Sequence, residues 1–144
     1  MVGPRRFASP AEAEAAFYAA FEAMDLAAMA AVWSHAEDVT CIHPMGHAIH
    51  GWPALEQSWA RIFQGLGQAR FVLSDLREFA QPSLSVRFVH ENIHHGPGFT
   101  GISRVLATNV FRLEDRGWRL ISHHASPGGV LREPDADTGG QARH

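Results

Sequence analysis

Histidine is the residue type in this chain that is best suited to chemistry at neutral pH. Ten of the 144 residues are histidines, and two pairs of them are adjacent, at 94–95 and 123–124. An imidazole titrates near pH ~6.5, so it can give or take a proton as general acid–base catalysis requires. Both pairs fall in stretches that predict strands. Neighbours on a strand point to opposite faces, so the two histidines of a pair cannot hold one ligand together.

The other histidines do not predict a metal site. His43, His47 and His50 have spacings of four and three, which suit ligands on a helix, but a proline and a glycine between them predict a loop. The single cysteine, Cys41, can form neither an intrachain disulfide nor a Cys-rich zinc site. All 12 basic residues are arginines, which excludes lysine chemistry such as a Schiff base. We therefore predict a protein without metal or cofactor.

Three helices and four long strands are predicted to position these residues. Ser9 and Asp25 have the character of N-caps for two helices, and apolar spacing from Trp52 to Leu66 predicts a third. After Gly67, apolar and polar residues alternate between turn sequences. The predicted strands are a short one at Asp38–His43 and long ones at Ala69–Phe79, Leu84–His95, Ile102–Leu113 and Trp118–Ser126. Helices followed by strands predict an α+β fold with the helices on one face of a mostly antiparallel sheet.

Alternation along each strand predicts which side chains face the helices. The arginine-free side of each strand is predicted to be the core side, because period-two alternation leaves little choice. This rule turns Arg87, Glu91 and His123 outward, although a bulge after Phe88 would turn Glu91 inward. The side chains assigned to the core side are Val39, Cys41 and His43; Leu84, Val86, Phe88 and His90; Val105, Ala107, Asn109 and Phe111; and Trp118, Leu120, Ser122 and His124.

Several motifs extend this pattern to a resemblance with a known family. They are Asp38-Val39-Thr40 before Cys-Ile-His-Pro, then Gly51, Ser58-Trp59, Ala107-Thr108-Asn109-Val110-Phe111 and Trp118 to Pro127. From Pro10 to Pro127 the chain resembles the cone-shaped nuclear-transport-factor-2-like superfamily, and its SnoaL-like branch most closely. The resemblance implies three N-terminal helices on a strongly curved sheet, with mobile tails at residues 1–9 and 128–144. The closing strand is also similar to that of the calcium/calmodulin-dependent kinase II association domain.

Ketosteroid isomerase belongs to the same superfamily, and its chemistry implies roles for residues of this chain. His43, just before a proline, occupies the place of its general base. Asn109 occupies the place of an aspartate in its oxyanion hole that is kept protonated, and therefore neutral, at pH 7. Phe17 stands where that enzyme has a tyrosine, and Tyr18 is expected on the wrong face. The resemblance therefore implies acid–base chemistry in general rather than steroid isomerisation.

The candidate site combines strand alternation with the implied fold. We expect His43, Asn109 and His124 to be catalytic, with His43 as base and Asn109, helped by His90 or His124, holding an oxyanion. The structural alternatives are a strand-end histidine hydrogen-bonded near the rim for His43, a buried amide that satisfies loop backbone for Asn109, and a core histidine bonded to a carbonyl for His124. The side chains expected to bind the ligand are Trp59, His90, Glu91 and Phe17. For Glu91 the alternatives are an outward salt bridge or an inward carboxylate with a raised pKa.

Two functions agree with the sequence. The first is a cofactor-independent isomerase, cyclase or dehydratase acting on a small apolar or carbonyl-bearing molecule. The second is a non-catalytic ligand-binding or oligomerisation module resembling the kinase association domain. Apolar residues on the outer sheet face, among them Val89, Leu106 and Val110, predict a homodimer through that face. A net charge of −3 and the lack of a signal peptide or membrane-length apolar run predict a cytoplasmic protein that binds neither nucleic acid nor membrane.

Overall fold

The computed structural model describes residues 5–128. This range contains three α-helices and six strands. The helices are α1 (Pro10–Ala23), α2 (Leu26–Val32) and α3 (Trp52–Gly65). The strands are β1 (Thr40–Ile42), β2 (Ile49–His50), β3 (Ala69–Ala80), β4 (Leu84–His95), β5 (Gly101–Glu114) and β6 (Gly117–Pro127). The four long strands agree with the predicted bounds to within one residue at each end. Most of the predicted tails lies outside the described residues, but Phe7 is buried and pairs with Gly117.

The first two helices begin at the predicted caps. The Ser9 hydroxyl accepts the backbone N–H of Glu12 at 3.1 Å, and the Asp25 carboxylate accepts that of Ala28 at 3.0 Å. Each bond satisfies one of the donors that a helix N-terminus leaves unpaired. Between the helices the chain turns at Met24, whose φ of 53° is left-handed. The break lets α2 leave the direction of α1.

The sheet is mixed and curved, with the strand order β2-β1-β6-β5-β4-β3. β1 and β6 are parallel, and every other neighbouring pair is antiparallel. The helices pack on the inner face of the sheet, with α1 in contact with β3, β5 and β6. The predicted α+β cone, with three helices on a strongly curved sheet, is therefore confirmed.

The prediction for the faces of β4 was wrong. The buried residues are Ser85, Arg87, Val89 and Glu91, whereas Leu84 and Phe88 are about 40% exposed, at 39% and 40%. The assumption that arginine marks the outer side fails because Arg87 has a buried carboxylate partner on α1. A paired charge can be buried where an unpaired one cannot. The bulge after Phe88 is not needed, since β4 pairs with β5 without a register shift.

A bulge in β6 also overturns the prediction for its second half. The pairing of β5 with β6 shifts between Val110 and Phe111, so that Ile121 is the extra residue. An extra residue reverses the alternation that follows it. Leu120 and His123 consequently both point inward, and His124 is exposed. His123 therefore points inward, although the alternation rule turned it outward, and His124 points outward, although the rule turned it inward.

Candidate functional site

Six polar side chains form a hydrogen-bonded group between α1 and the sheet, which we call the interior cluster. Its members are Glu14 and Tyr18 on α1, Arg87 and Glu91 on β4, Asn109 on β5 and His123 on β6. All six are buried. Buried polar groups are tolerated where they are hydrogen-bonded to each other, and such networks fix one arrangement of the core.

Tyr18 lies at the centre of the interior cluster. Its hydroxyl donates to Glu91 Oε2 at 2.6 Å and accepts from Asn109 Nδ2 at 3.0 Å. The expectation that Tyr18 lies on the wrong face of α1 was therefore wrong: Phe17 and Tyr18 are both buried. Burial, followed by the charge and the hydrogen bond of Glu91, raises the pKa of Tyr18 far above its usual value. The phenol thus stays protonated at all ordinary pH values.

Glu91 is the group of the cluster whose protonation changes near neutral pH. It is 2% exposed, and no cation of residues 5–128 lies within ion-pair distance of it. Burial and the nearby charge of Glu14 raise its pKa to about 7, against the lowering effect of the Tyr18 hydrogen bond. A carboxyl group with this pKa is suited to act as a base and as an acid in the same reaction. Of the two predicted alternatives for Glu91, an outward salt bridge and an inward carboxylate with a raised pKa, the structure has the inward carboxylate.

Glu14, by contrast, is charge-compensated. Its Oε1 accepts from Arg87 Nε at 3.0 Å, and its Oε2 accepts from Asn109 Nδ2 at 3.1 Å. Arg87 also reaches Glu78 at the surface, with Nη1 2.8 Å from Oε2. The pair anchors α1 to β4 beside Tyr18 and Glu91. The carboxylate of Glu14 remains close enough to Glu91 to favour the protonated form of the Glu91 carboxyl.

Asn109 is saturated by the cluster and is not free to donate to an oxyanion. Both of its amide hydrogens are used, because Nδ2 donates to Glu14 and Tyr18. Its Oδ1 lies 2.6 Å from His123 Nδ1 and must accept, which assigns the His123 proton to Nδ1. Burial, with the neighbouring histidines 43 and 124, lowers the pKa of His123 to about 3, so this imidazole is neutral. In this structure Asn109 positions Tyr18 and His123.

His43 lies at the end of β1, where it faces α3. Its Nε2 is 2.8 Å from Ser58 Oγ, and its ring stands perpendicular to that of Trp59 at 4.9 Å. Burial lowers its pKa to about 4. His43 is therefore neutral at pH 7 and a weaker base than Glu91. It lies inward, as the sequence predicts, but outside the interior cluster.

Aromatic rings fill the space between His43 and the cluster. Phe17 contacts Trp59 at 5.6 Å and His123 at 4.9 Å between ring centroids, and Trp59 contacts Phe21 at 4.9 Å. Phe17 and Trp59 thus occupy the interior as predicted for ligand-binding residues. The indole Nε1 of Trp59 is buried and has no hydrogen-bond partner among the described residues.

His90 and His124 are not part of this interior. Both lie on the outer face of the sheet, along a groove of about 580 Å³ whose other walls include Leu76, Phe88 and Leu106. His90 Nδ1 lies 3.0 Å from Asp75 Oδ2, within ion-pair distance but outside hydrogen-bond geometry. The prediction that these two histidines help to hold an oxyanion beside Asn109 was therefore wrong, because both turn away from it.

Within residues 5–128, no group of three or more His, Cys, Asp or Glu side chains has an arrangement that could hold a metal ion. Of the three histidines at spacings of four and three, His43 contacts Ser58 and His50 contacts Thr40. None of the helices in this range is long and apolar enough to span a bilayer.

The sequence reasoning missed Glu14, Tyr18, Arg87 and His123. One signal was available for α1: Glu14 and Tyr18 are four residues apart and share a helix face with Phe17 and Phe21 next to it. A carboxylate at the start of that face indicates a buried cation opposite, and Arg87 is that cation. His123 gave no such signal, since its orientation depends on the β6 bulge.

Comparison with known proteins gives the family. A family model described as a SnoaL-like domain matches residues 11–129. The F-box protein SKIP8 of Arabidopsis thaliana is 28% identical over 103 residues, which are 70% of this chain and 42% of that protein. The chain thus spans less than half of the length of that relative.

Two crystal structures are similar to the whole domain. One, from Thiobacillus denitrificans, is provisionally described as a calcium/calmodulin-dependent protein kinase type II association domain. It is 40% identical with a TM-score of 0.81, over 85% of this chain and 98% of that one. The other, from Streptomyces avermitilis, is provisionally described as a dehydratase of the NTF2-like family. It is 32% identical with a TM-score of 0.72, over 83% and 92% of the two chains. The predicted resemblance is confirmed.

Proposed function

Because the chain belongs to the SnoaL-like family, we propose that it catalyses proton transfer on a small, mostly apolar carbonyl compound, with Glu91 as the acid–base group. The observation that supports this proposal most strongly is the buried carboxyl of Glu91, which accepts a hydrogen bond from Tyr18 at 2.6 Å and has a pKa of about 7. Isomerisation, cyclisation and dehydration all include such a proton transfer. His43, with its lower pKa, becomes a positioning group beside Trp59 in this proposal.

The hydrogen bonds of Tyr18 couple the two halves of the proposed reaction. Ionised Glu91 takes a proton from the carbon next to the substrate carbonyl, and the electron pair moves to the carbonyl oxygen as an enolate. Once protonated, Glu91 can donate to the Tyr18 oxygen, which frees the Tyr18 hydrogen for the new oxyanion. Glu91 then returns its proton to another atom of the substrate. No external oxidant, reductant or cofactor is needed for this balance.

The packing of the interior sets the shape of the proposed substrate. A guest near Glu91 has to replace the edge-to-face contact of Phe17 with Trp59 and the tilted contact of Tyr18 with Phe71. A flat, apolar molecule can restore such contacts and recover their energy. A carbonyl on its rim can accept from the unpartnered Trp59 indole N–H. We therefore propose a planar or aromatic carbonyl compound as the substrate class.

A general probe can test this proposal without the natural substrate. 5-Nitrobenzisoxazole is flat and aromatic, and a base that removes its ring C–H breaks the N–O bond and releases a coloured phenolate. We expect saturable turnover that rises with pH through about 7, as Glu91 ionises. Glu91→Gln removes the base and keeps the volume, and should cost at least ~10²-fold in kcat/KM.

The matched control is Glu56→Gln, which removes an exposed carboxylate on α3. It should leave turnover unchanged. Equal loss in both variants, or a rate in wild type no higher than that of the buffer, would contradict an acid–base role for Glu91.

A second candidate function, homo-oligomeric assembly, is favoured by the outer face of the sheet. Large apolar side chains lie exposed across β3, β4 and β5, with Phe79 at 64% and Ile102 at 66% exposure. The others are Val72, Leu76, Leu84, Phe88, Leu106 and Leu113. Several large apolar side chains exposed on one face are typical of protein interfaces. We propose that a second copy of the chain covers this face, although Val89, which we expected there, is buried inside.

Native mass spectrometry and sedimentation test the assembly proposal. Leu106→Glu puts a charge in the middle of the outer face and should convert a dimer into a monomer. Met45→Glu is the control, since Met45 is 90% exposed but lies in the loop after β1. A wild-type monomer at micromolar concentration, or a Leu106→Glu dimer as tight as wild type, would exclude this interface.

A further inference from the structure

A second groove, of about 510 Å³, lies between the end of α2 and the turn that joins β5 to β6. It is separate from the interior cluster and from the apolar outer face. We call it the α2 groove. The lining residues used in the argument below are Trp33, Ser34, Glu114, Asp115, Arg116 and Arg119.

Arg119 brings a buried positive charge to the α2 groove. It is 6% exposed, and its guanidinium donates to two backbone carbonyls, of Arg5 at 2.6 Å and of Trp118 at 3.0 Å. The ring of Phe7 lies 5.3 Å away. No carboxylate of residues 5–128 lies within ion-pair distance of it. A buried cation without a counter-charge is costly, and a guanidinium has five N–H donors to offer.

Trp33 supplies an independent sign of a missing acceptor. It is 1% exposed, and its indole Nε1 has no hydrogen-bond partner among the described residues. Its neighbour Ser34 is satisfied, because that hydroxyl donates to Glu114 at 2.8 Å. An orphaned buried donor in a native protein needs an explanation, and a ligand is one.

The carboxylates of the α2 groove compensate its positive charge only in part. Glu114 Oε2 already accepts from Ser34 and from Arg112, whose Nε and Nη2 lie 3.1 and 2.9 Å away. Asp115 accepts from Arg6 through its backbone carbonyl, at 2.8 Å, and its carboxylate takes part in none of the ion pairs of residues 5–128. Burial lowers the pKa of Arg119. The charge of Glu114 raises this pKa, and the charges of Arg116 and Arg6 lower it. Repulsion among these guanidiniums would be relieved by an anion.

We propose that the α2 groove binds a small molecule through a carboxylate or phosphate group, which accepts hydrogen bonds from Arg119 and from the Trp33 indole. Both ligand groups are compact oxyanions, and arginine forks match both. The volume leaves room for an organic remainder beyond the anion. This site is independent of the proton transfer proposed for Glu91.

Nitrogen-15 NMR of the tryptophan side chains gives a direct test, since the chain has four indole N–H groups. The probes are inorganic phosphate and acetate at constant ionic strength, with chloride as the reference anion. We expect one indole signal, absent in Trp33→Phe, to shift saturably with a Kd of roughly millimolar size. A shift with both probes indicates carboxylate or phosphate ligands, and a shift with phosphate alone narrows the class to phosphates.

Three variants separate this site from general attraction to arginines. Arg116→Gln, at an exposed position, should weaken binding about 5-fold, and Arg119→Lys, which loses the fork, about 10-fold. Arg61→Gln, on the exposed side of α3, is the matched control and should bind as wild type does. The proposal is overturned if no indole signal saturates up to about 50 mM probe. It is equally overturned if Arg61→Gln weakens binding as much as Arg116→Gln.

Discussion

Replacing Glu91 by glutamine should stabilise the protein above neutral pH. The folded-state pKa of Glu91 is about 7 against 4.5 for the free side chain. Folding therefore favours the protonated carboxyl, and the stability that this contributes is complete below pH ~4.5 and lost as the pH rises through ~7. Glutamine keeps the shape and an oxygen that accepts from Tyr18, but it never ionises. It avoids the loss.

The magnitude follows from the pKa difference. A shift of about 2.5 pKa units corresponds to about 3 kcal/mol at 1.36 kcal/mol per unit. Glu91 is 2% exposed, so solvent screening removes little of this. Between pH 5 and pH 8, wild type should lose about 2–3 kcal/mol relative to Glu91→Gln, since part of the titration lies below pH 5. The glutamine variant should then be the more stable protein at pH 8.

Urea unfolding of both proteins at a series of pH values between 5 and 8 measures this difference. Other groups titrate in the same range, but they are common to both proteins and cancel when one curve is subtracted from the other. A flat difference curve would refute the assignment of Glu91 as a buried carboxyl with a raised pKa. A glutamine variant less stable than wild type at pH 8 would also contradict it.

Three further predictions concern other groups of the fold. Wild-type stability should fall as the pH drops from ~6.5 towards ~4, because His43 and His123 are neutral in the fold and must charge on unfolding; His43→Gln should reduce this slope in the same urea series. Glu14→Gln leaves Arg87 without its buried partner and should cost about 3–5 kcal/mol, again by urea unfolding, whereas a cost under ~1 kcal/mol would mean that the ion pair is not buried. Met24→Gly relieves a left-handed φ of 53° and should stabilise by roughly 1 kcal/mol in thermal unfolding; a lower Tm would show that the side chain contributes more than the turn costs.

Local pattern was enough to predict the elements of this fold. The caps at Ser9 and Asp25, the periodicity of α3 and the turn sequences between strands all act within a few residues of each other, so their bounds could be predicted closely. The same local information placed His43, Phe17 and Trp59 inward. Their elements contain no irregularity between the predicted start and the residue in question.

Side-chain direction in β4 and β6 could not be predicted in this way. Whether Arg87 and Glu91 face inward depends on Glu14 and Tyr18, which lie more than 70 residues earlier in the chain. The direction of His123 depends on a bulge at Ile121, and nothing in that stretch marks it.

The sequence by itself determined the α+β order of elements and the absence of lysine chemistry, because periodicity and composition carry that information locally. The family was indicated by the resemblance of its motifs and is shown by the family model. Only the tertiary structure decided that the interior group with a pKa near neutral pH is Glu91 rather than the expected base, His43. The physical reason is that burial of a charged side chain is settled by the partner it meets across the fold, and a strand's alternation records only two equivalent faces until that partner is in place.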